Sequence, residues 1–85
     1  MELSIIIVNY NTRELTNQAI DSIIKNTADI DYEIIVADNS SVENQQCHYD
    51  GKQVRVIYNI DNKGFGHACN IGANNAKGKY LLFLN

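Results

Sequence analysis

The sequence predicts an α/β fold in which a four-stranded, mostly parallel sheet is combined with two to three helices. Short apolar runs alternate along the chain with segments of helical periodicity, and such alternation produces parallel strands joined by right-handed crossovers. Most of these runs are apolar on both faces, as in strands buried between layers of helices. Each run ends in polar residues, and open α/β sheets bind their ligands at that end of the strands.

The chain is predicted to begin with a strand and a helix. Leu3–Val8 is a nearly continuous, β-branched apolar run, which is typical of a buried strand. Asn11 offers a helix N-cap with Glu14 at capping-box spacing, and the helix is predicted to end at Asn26. Its apolar face is predicted to consist of Leu15, Ala19, Ile20, Ile23 and Ile24.

The middle of the chain is predicted to form two further strands. Glu33–Asp38 is a second buried strand, and Gln53–Tyr58 has the partly polar pattern of an edge strand. The segment between them, Ser40–Lys52, is polar and ends in an Asp-Gly turn signal. We expect it to hold a single helical turn or a little more, and no long helix.

The last part of the chain is predicted to form a helix and the most apolar strand. Phe65–Ala76 carries a stripe of mostly small residues at helical spacing, so the helix can lie close to the sheet. Lys77 and Gly78 are typical of a helix end, and Tyr80–Leu84 is the fourth strand. With the weakest strand outermost, the predicted strand order is 3-2-1-4. The residues expected to converge at its reversal point are Asn9, Tyr10, Asp38 and Asn85.

Composition narrows the class of protein. The 85 residues fit one small domain, residues 1–85, and the net charge of −3 gives no reason to expect nucleic acid or an anionic membrane surface as a partner. Neither a signal peptide nor a run of transmembrane length is present in the sequence, so a cytoplasmic protein is expected. Cys47 and Cys69 do not suggest a disulfide framework, and Cys47 with His48 falls short of the four ligands of a structural zinc site.

Two residues at the predicted ligand-binding end have both a functional and a structural interpretation. Asp38 could accept hydrogen bonds from a ribose hydroxyl or a base N–H, or it could simply form a turn after its strand. Tyr10 could stack on a planar base or pack against the end of the sheet. Three further side chains are expected to be solvated rather than to bind phosphate: Arg13, Lys63 and His67.

A glycine-containing loop precedes the last predicted helix. Gly64 and Gly66 would bring backbone N–H groups to a helix N-terminus, where anions bind, although Gly64 could also serve only as a turn. Cys69 replaces the third glycine of a dinucleotide fingerprint, and the loop follows the third strand instead of the first. A nicotinamide-type site is therefore disfavoured, and the sequence contains no phosphate-loop NTPase motif.

Four motifs, in this order, resemble the start of a family 2 glycosyltransferase. They are S-I-I-I-V-N-Y-N from residue 4, Y-E-I-I-V-A-D-N-S from residue 32, N-K-G-F-G-H-A-C-N-I-G from residue 62 and A-K-G-K-Y-L-L-F-L-N from residue 76. Together they cover essentially the whole chain, and they are similar to the rhamnosyltransferase-like branch. The resemblance implies that the chain is the Rossmann-like, three-layer, nucleotide-sugar-binding half of a GT-A fold.

The resemblance also implies roles for individual residues. Asn9 and Tyr10 would lie against the nucleoside, and Asp38 would hydrogen-bond the uracil or thymine ring. Gly64 and Gly66 would form a wall beside the nucleoside, with Asn70 supporting that loop from the helix. The implied nucleotide-binding residues are thus Asn9, Tyr10, Asp38, Gly64, Gly66 and Asn70.

Asn85 matches the first position of the short acidic motif with which the family holds a divalent metal, Mg or Mn, on the diphosphate. By this resemblance the metal-binding acid and the catalytic base lie beyond Asn85. No catalytic residue is therefore assigned within the chain, which is expected to bind no metal and to be inactive by itself. The predicted strand order also leaves Tyr80–Leu84 at an edge, where a long apolar strand invites pairing with a second copy.

For a full-length protein, the resemblance implies inverting transfer of a sugar from a UDP- or dTDP-sugar to a saccharide or lipid-linked acceptor in polysaccharide biosynthesis. The expected location is the cytoplasm or the inner face of the membrane. Two alternatives stay open. A nucleotidyltransferase-like enzyme shares the layout but usually has a Gly- and Arg-rich loop after the first strand, which this chain lacks. A non-catalytic nucleotide-binding or oligomerisation module would use the fold without the chemistry.

Overall fold

The computed structural model describes residues 1–58 and 64–84. The described part forms a four-stranded sheet with strand order β3-β2-β1-β4, in which all three neighbouring pairs are parallel. The predicted α/β class and strand order are therefore confirmed. In chain order the elements are β1 (Leu3–Asn9), α1 (Arg13–Asn26), β2 (Tyr32–Asp38), a 3-10 helix (Glu43–Gln45), β3 (Val54–Ile57), α2 (Phe65–Asn74) and β4 (Tyr80–Leu84).

The larger part of the core lies between α1 and the sheet. Ile5 and Ile7 on β1 stand opposite Ile34 and Val36 on β2, and Ile20 of α1 packs against them. All five side chains are almost fully buried. Complete burial of one such side chain is worth about 1.5–3 kcal/mol, so this cluster provides much of the free energy that holds α1 on the sheet.

The opposite face of the sheet is covered by α2, which lies very close to β1. A Cβ atom built on Gly72 would be 2.6 Å from Cγ2 of Ile6, a distance that real side chains do not adopt. Ala68, one turn earlier on the helix, is fully buried. The prediction that small residues let this helix approach the sheet is confirmed at Gly72.

A buried carboxylate joins the strands to the α2–β4 connection at the amino end of the sheet. Glu33 accepts hydrogen bonds from the Ser4 hydroxyl (2.6 Å) and the Lys77 backbone N–H (2.7 Å), and the Gly78 N–H donates to Ser4 Oγ. Burial opposes ionisation of Glu33. The two hydrogen bonds and the charges of Arg55 and Lys77 outweigh this effect, so the pKa of Glu33 lies below its ordinary value of 4.5.

Three local predictions were wrong in detail. Helix α1 begins at Arg13 after Thr12, because Asn11 takes a left-handed conformation (φ 54°) and is not the N-cap. Leu15 is 66% exposed, since the buried stripe of α1 passes through Thr16 and Ile20 instead. Four elements also differ in length from the prediction: β1 ends at Asn9, β2 begins at Tyr32, β3 covers only Val54–Ile57 and α2 ends at Asn74.

Strand β4 lies at the edge of the sheet, as predicted, and hydrogen-bonds to β1. Four consecutive large side chains, Tyr80 to Phe83, are between 43 and 64% exposed. Self-association through this edge stays a prediction. Within residues 1–58 and 64–84, the helices are too short or too polar to cross a membrane.

Candidate functional site

An apolar groove of about 250 Å³ lies at the carboxyl end of β1. Two aromatic residues, Tyr10 and Phe65, line it and are each 49% exposed, and Val8, Asn39 and Gly64 complete the lining. Exposed aromatic rings beside a narrow apolar space suit a flat ring better than a flexible chain, because stacking needs planar surfaces. The groove lies at the strand ends where the sequence predicts ligand binding.

Phe65 lines the groove, although the sequence did not single it out as a site residue. Its helical spacing placed it in the stripe that packs on the sheet, and this assignment was wrong. Phe65 is the first residue of α2 and follows Gly64, whose φ of 95° is in the left-handed region that favours glycine. Phe65 therefore stands at the start of α2, where it lines the groove beside Gly64. An aromatic residue between two glycines was the available signal.

Asp38 and Asn9 are paired at the ends of β2 and β1, and both side chains are buried. One carboxylate oxygen of Asp38 accepts hydrogen bonds from Asn9 Nδ2 (3.0 Å) and from the Cys47 backbone N–H (2.6 Å). The other oxygen accepts from the Ser40 N–H at 2.9 Å. Asp38 is only 2% exposed, so its carboxylate organises the loop after β2. Its contact with a base stays a prediction.

The Asn9 carboxamide lies at the centre of this polar network. Its nitrogen has two hydrogens and three acceptors within reach, namely Asp38 Oδ2 (3.0 Å), Ser40 Oγ (3.2 Å) and the Gln45 carbonyl oxygen (2.8 Å), so that one hydrogen is shared. Its oxygen accepts from the Thr12 N–H (3.2 Å), the Thr12 hydroxyl (3.0 Å) and the Thr16 hydroxyl (2.9 Å). One buried side chain therefore joins the start of α1 to the end of β2, the loop after it and the 3-10 helix.

Asn11 makes a second connection between the same two loops. Its side-chain oxygen accepts hydrogen bonds from the backbone N–H groups of Ser41 and Val42, both at 3.1 Å, and its own N–H donates to Ser40 Oγ at 3.0 Å. Asn tolerates the left-handed backbone that this arrangement requires. Tyr10 lies between Asn9 and Asn11, so the loop that carries its ring is anchored on both sides.

The remaining predicted site residues lie on or near α2. Gly64 and Gly66 are exposed, and an added Cβ at either one would meet no atom within 4 Å. Asn70 is exposed on α2 and His67 is half-buried. Their roles toward a ligand stay predictions. Lys63 and Asn85 lie outside the described residues.

Arg13 is more enclosed than the sequence predicted. It is half-buried, and its guanidinium donates to the Asn44 carbonyl oxygen at 3.4 Å. Its backbone N–H donates to Gln45 Oε1, also at 3.4 Å. Arg13 therefore contributes to the contact between α1 and the 3-10 helix segment.

Metal binding has no support among residues 1–58 and 64–84, where no three His, Cys, Asp or Glu side chains are grouped to hold an ion. Cys47 is fully buried, whereas Cys69 on α2 is half-buried. Burial and the nearby negative charge of Asp38 raise the pKa of the Cys47 thiol to about 11. Cys47 is therefore a protonated core thiol at neutral pH and a poor metal ligand.

Comparison with known proteins identifies the family. The chain is 33% identical over 84 residues to an uncharacterised glycosyltransferase of Haemophilus influenzae, covering 98% of the chain and 28% of that protein. It is 36% identical over 88 residues to one of Rickettsia felis, with 98% and 14% covered. It is also 32% identical over 92 residues to the poly(ribitol-phosphate) β-glucosyltransferase of Bacillus spizizenii, with 100% and 14% covered.

The chain thus spans between 14 and 28% of the length of these three relatives. No solved structure matches it significantly. The model of the family described as glycosyl transferase family 2 matches residues 4–85, which is nearly the whole chain. The chain therefore belongs to glycosyl transferase family 2.

Proposed function

We propose that this chain binds the nucleotide part of a nucleoside diphosphate sugar, with the base held in the groove between Tyr10 and Phe65. The observation that carries the proposal is the pair of half-exposed aromatic rings lining an apolar groove at the carboxyl end of β1. Family membership supports sugar transfer as the class of reaction. It favours this reading over the nucleotidyltransferase alternative.

The finer parts of the proposal rest on the resemblance of the motifs. The sugar carrier is a UDP- or dTDP-sugar, the transfer is inverting, and the enzyme belongs to the rhamnosyltransferase-like branch, acting in polysaccharide biosynthesis in the cytoplasm or at the inner face of the membrane. The acceptor is a saccharide or a lipid-linked saccharide. The Bacillus relative is named as a β-glucosyltransferase of poly(ribitol phosphate), which supports an acceptor of polymeric type.

A divalent metal, Mg or Mn, on the diphosphate is also part of the proposal. The described residues provide no ligand set for it, so we assign this chain no step in which the metal takes part. The described residues would contribute recognition of the base. Asp38 would contact the uracil or thymine ring only if the residues that bury it moved aside, because it is 2% exposed.

The test is an NMR titration of the chain with UDP, dTDP, GDP and NAD, repeated with Tyr10→Ala and Phe65→Ala. UDP or dTDP should shift the resonances of Tyr10, Gly64 and Phe65. Loss of one stacked ring, worth about 1.5 kcal/mol, should weaken binding roughly tenfold. Tyr80→Ala is the matched control, because Tyr80 is an exposed aromatic on the edge strand that does not line the groove.

Absence of shifts with every nucleotide would contradict the assignment of the groove. Equal weakening by Tyr10→Ala and Tyr80→Ala would do so as well, because only one of these rings lines the groove.

A further inference from the structure

We propose that Asn9 is a positioning residue that fixes the Asp38 carboxylate and the two loops bordering the Tyr10–Phe65 groove before any ligand binds. Asn9 is fully buried and follows the apolar part of β1, so it has no path to a ligand in this conformation. Its influence on the groove must therefore pass through the groups that it contacts. This role differs from the contact with the nucleoside that the family resemblance implied for Asn9.

The two ends of the Asn9 carboxamide hold different segments. The oxygen receives three hydrogen bonds from Thr12 and Thr16, which fix the turn after Tyr10 and the first turn of α1. The nitrogen has its acceptors on Asp38, Ser40 and Gln45, on the far side of the network. Because an amide group is rigid and planar, fixing one end fixes the direction of the other.

Asp38 depends on this arrangement for its orientation. Asn9 Nδ2 donates to the same carboxylate oxygen, Oδ2, that accepts from the Cys47 N–H. Without the amide donor, a buried charged oxygen would lose one of its two hydrogen bonds, which favours rotation of the carboxylate toward other donors or water. The Cys47 N–H contacts Asp38 and not Asn9, so its exchange with solvent reports the orientation of Asp38 independently of any ligand.

Tyr10 depends on the same network through the backbone. It lies between Asn9 and Asn11, and the Ser40 hydroxyl accepts a hydrogen bond from both Asn9 Nδ2 and the Asn11 N–H. The ring is half-exposed, so neighbouring side chains do not hold it on every side. The direction of the Tyr10 ring is therefore determined mainly by the anchored backbone, and loosening Asn9 would leave the groove incompletely formed.

Two substitutions test the proposal, with one control. Asn9→Ser is uncharged and too short to reach both sides of the network. Thr16→Val keeps the volume of a buried side chain and removes one hydrogen bond to the Asn9 oxygen. Ile20→Val removes one core methyl group, which lowers stability without touching the network. Native-state hydrogen exchange of the Cys47 amide is compared with that of Ile35 in the centre of β2, which reports global unfolding.

In Asn9→Ser, the Cys47 amide should exchange on the order of tenfold faster relative to Ile35, which corresponds to one lost hydrogen bond to a charged group. Thr16→Val should also raise the exchange rate of the Cys47 amide relative to that of Ile35, but by a smaller factor. Ile20→Val should raise the exchange rates of both amides by the same factor, because it lowers only the global stability of the fold. An unchanged ratio of Cys47 to Ile35 exchange in Asn9→Ser and Thr16→Val would overturn the proposal.

The second measurement is UDP affinity, and this arm rests on the proposed function. Asn9→Ser should weaken UDP binding about tenfold at a temperature where all variants are folded, whereas Ile20→Val should bind like the unaltered chain. If the unaltered chain binds no UDP but the Cys47 amide still responds to Asn9→Ser, the nucleotide assignment fails and the positioning of Asp38 stands. If UDP binds equally well to Asn9→Ser, Asn9 does not position the groove.

Discussion

Replacing Gly72 with alanine tests how closely α2 must lie against the sheet. The added Cβ would stand 2.6 Å from Cγ2 of Ile6, whereas carbon atoms in favourable contact are about 3.5–4.0 Å apart. The methyl group that it meets is a branch at the Cβ of a side chain that is 1% exposed, so it has no free space to move into. The helix would have to move away from β1 by about 1 Å, or Ile6 would have to leave its rotamer.

The size of the destabilisation by Gly72→Ala can be estimated by comparison with Gly66→Ala on the same helix. Overpacking of this kind costs about 1–3 kcal/mol, whereas alanine is a better helix former than glycine by about 0.8–1.0 kcal/mol. Gly66→Ala has the same gain in helix propensity, and its added Cβ would have no atom within 4 Å. The difference in unfolding free energy between the two variants should therefore be about 1–3 kcal/mol, with Gly72→Ala the less stable.

The assay is urea unfolding followed by circular dichroism. Ile6→Ala serves as a second background, because it removes the atom that the new methyl group meets. In that background Gly72→Ala should cause little or no further loss, so the two substitutions should be clearly non-additive. If Gly72→Ala is as stable as Gly66→Ala, or destabilises both backgrounds equally, the close approach of α2 to β1 is not what limits this position.

Three further predictions concern other parts of the fold. The pKa of Glu33 is depressed in the folded state, so its stabilisation is fully present above the ordinary value of 4.5 and disappears as pH falls through the lower folded value. Urea unfolding of Glu33→Gln should consequently depend less on pH in acid than that of the unaltered chain. Cys69 should react with a maleimide in the folded chain, whereas buried Cys47, with a pKa raised to about 11, should react only after unfolding; equal rates in the folded chain would contradict its burial. Leu82→Lys on β4 should reduce concentration-dependent association in sedimentation velocity, since a charge on an apolar edge strand opposes pairing; an unaltered chain that stays monomeric at high concentration would refute association through this edge.

Much of the candidate site could be located from the sequence, but not how its residues are used. The polar residues after β1 and β2 were expected to converge, and the pairing of Asn9 with Asp38 places them side by side. The direction of their side chains could not be predicted, because their hydrogen-bond partners lie up to 36 positions away along the chain. The 3-10 helix and the residues after it provide the Gln45 carbonyl and the Cys47 N–H. The residues next to Asn9 and Asp38 in the sequence do not predict these partners.

The sequence by itself determined the class of fold, the order of the strands and the end of the sheet at which the polar residues after β1 and β2 converge. These features follow from local rules, namely the period of apolar residues, the handedness of crossovers and the burial that each strand requires. Only the tertiary structure decided that Asp38 points inward, that Phe65 lines the groove and that Leu15 lies outside the core. Each of these depends on which distant atoms fill the neighbouring space, and a local pattern carries no information about them.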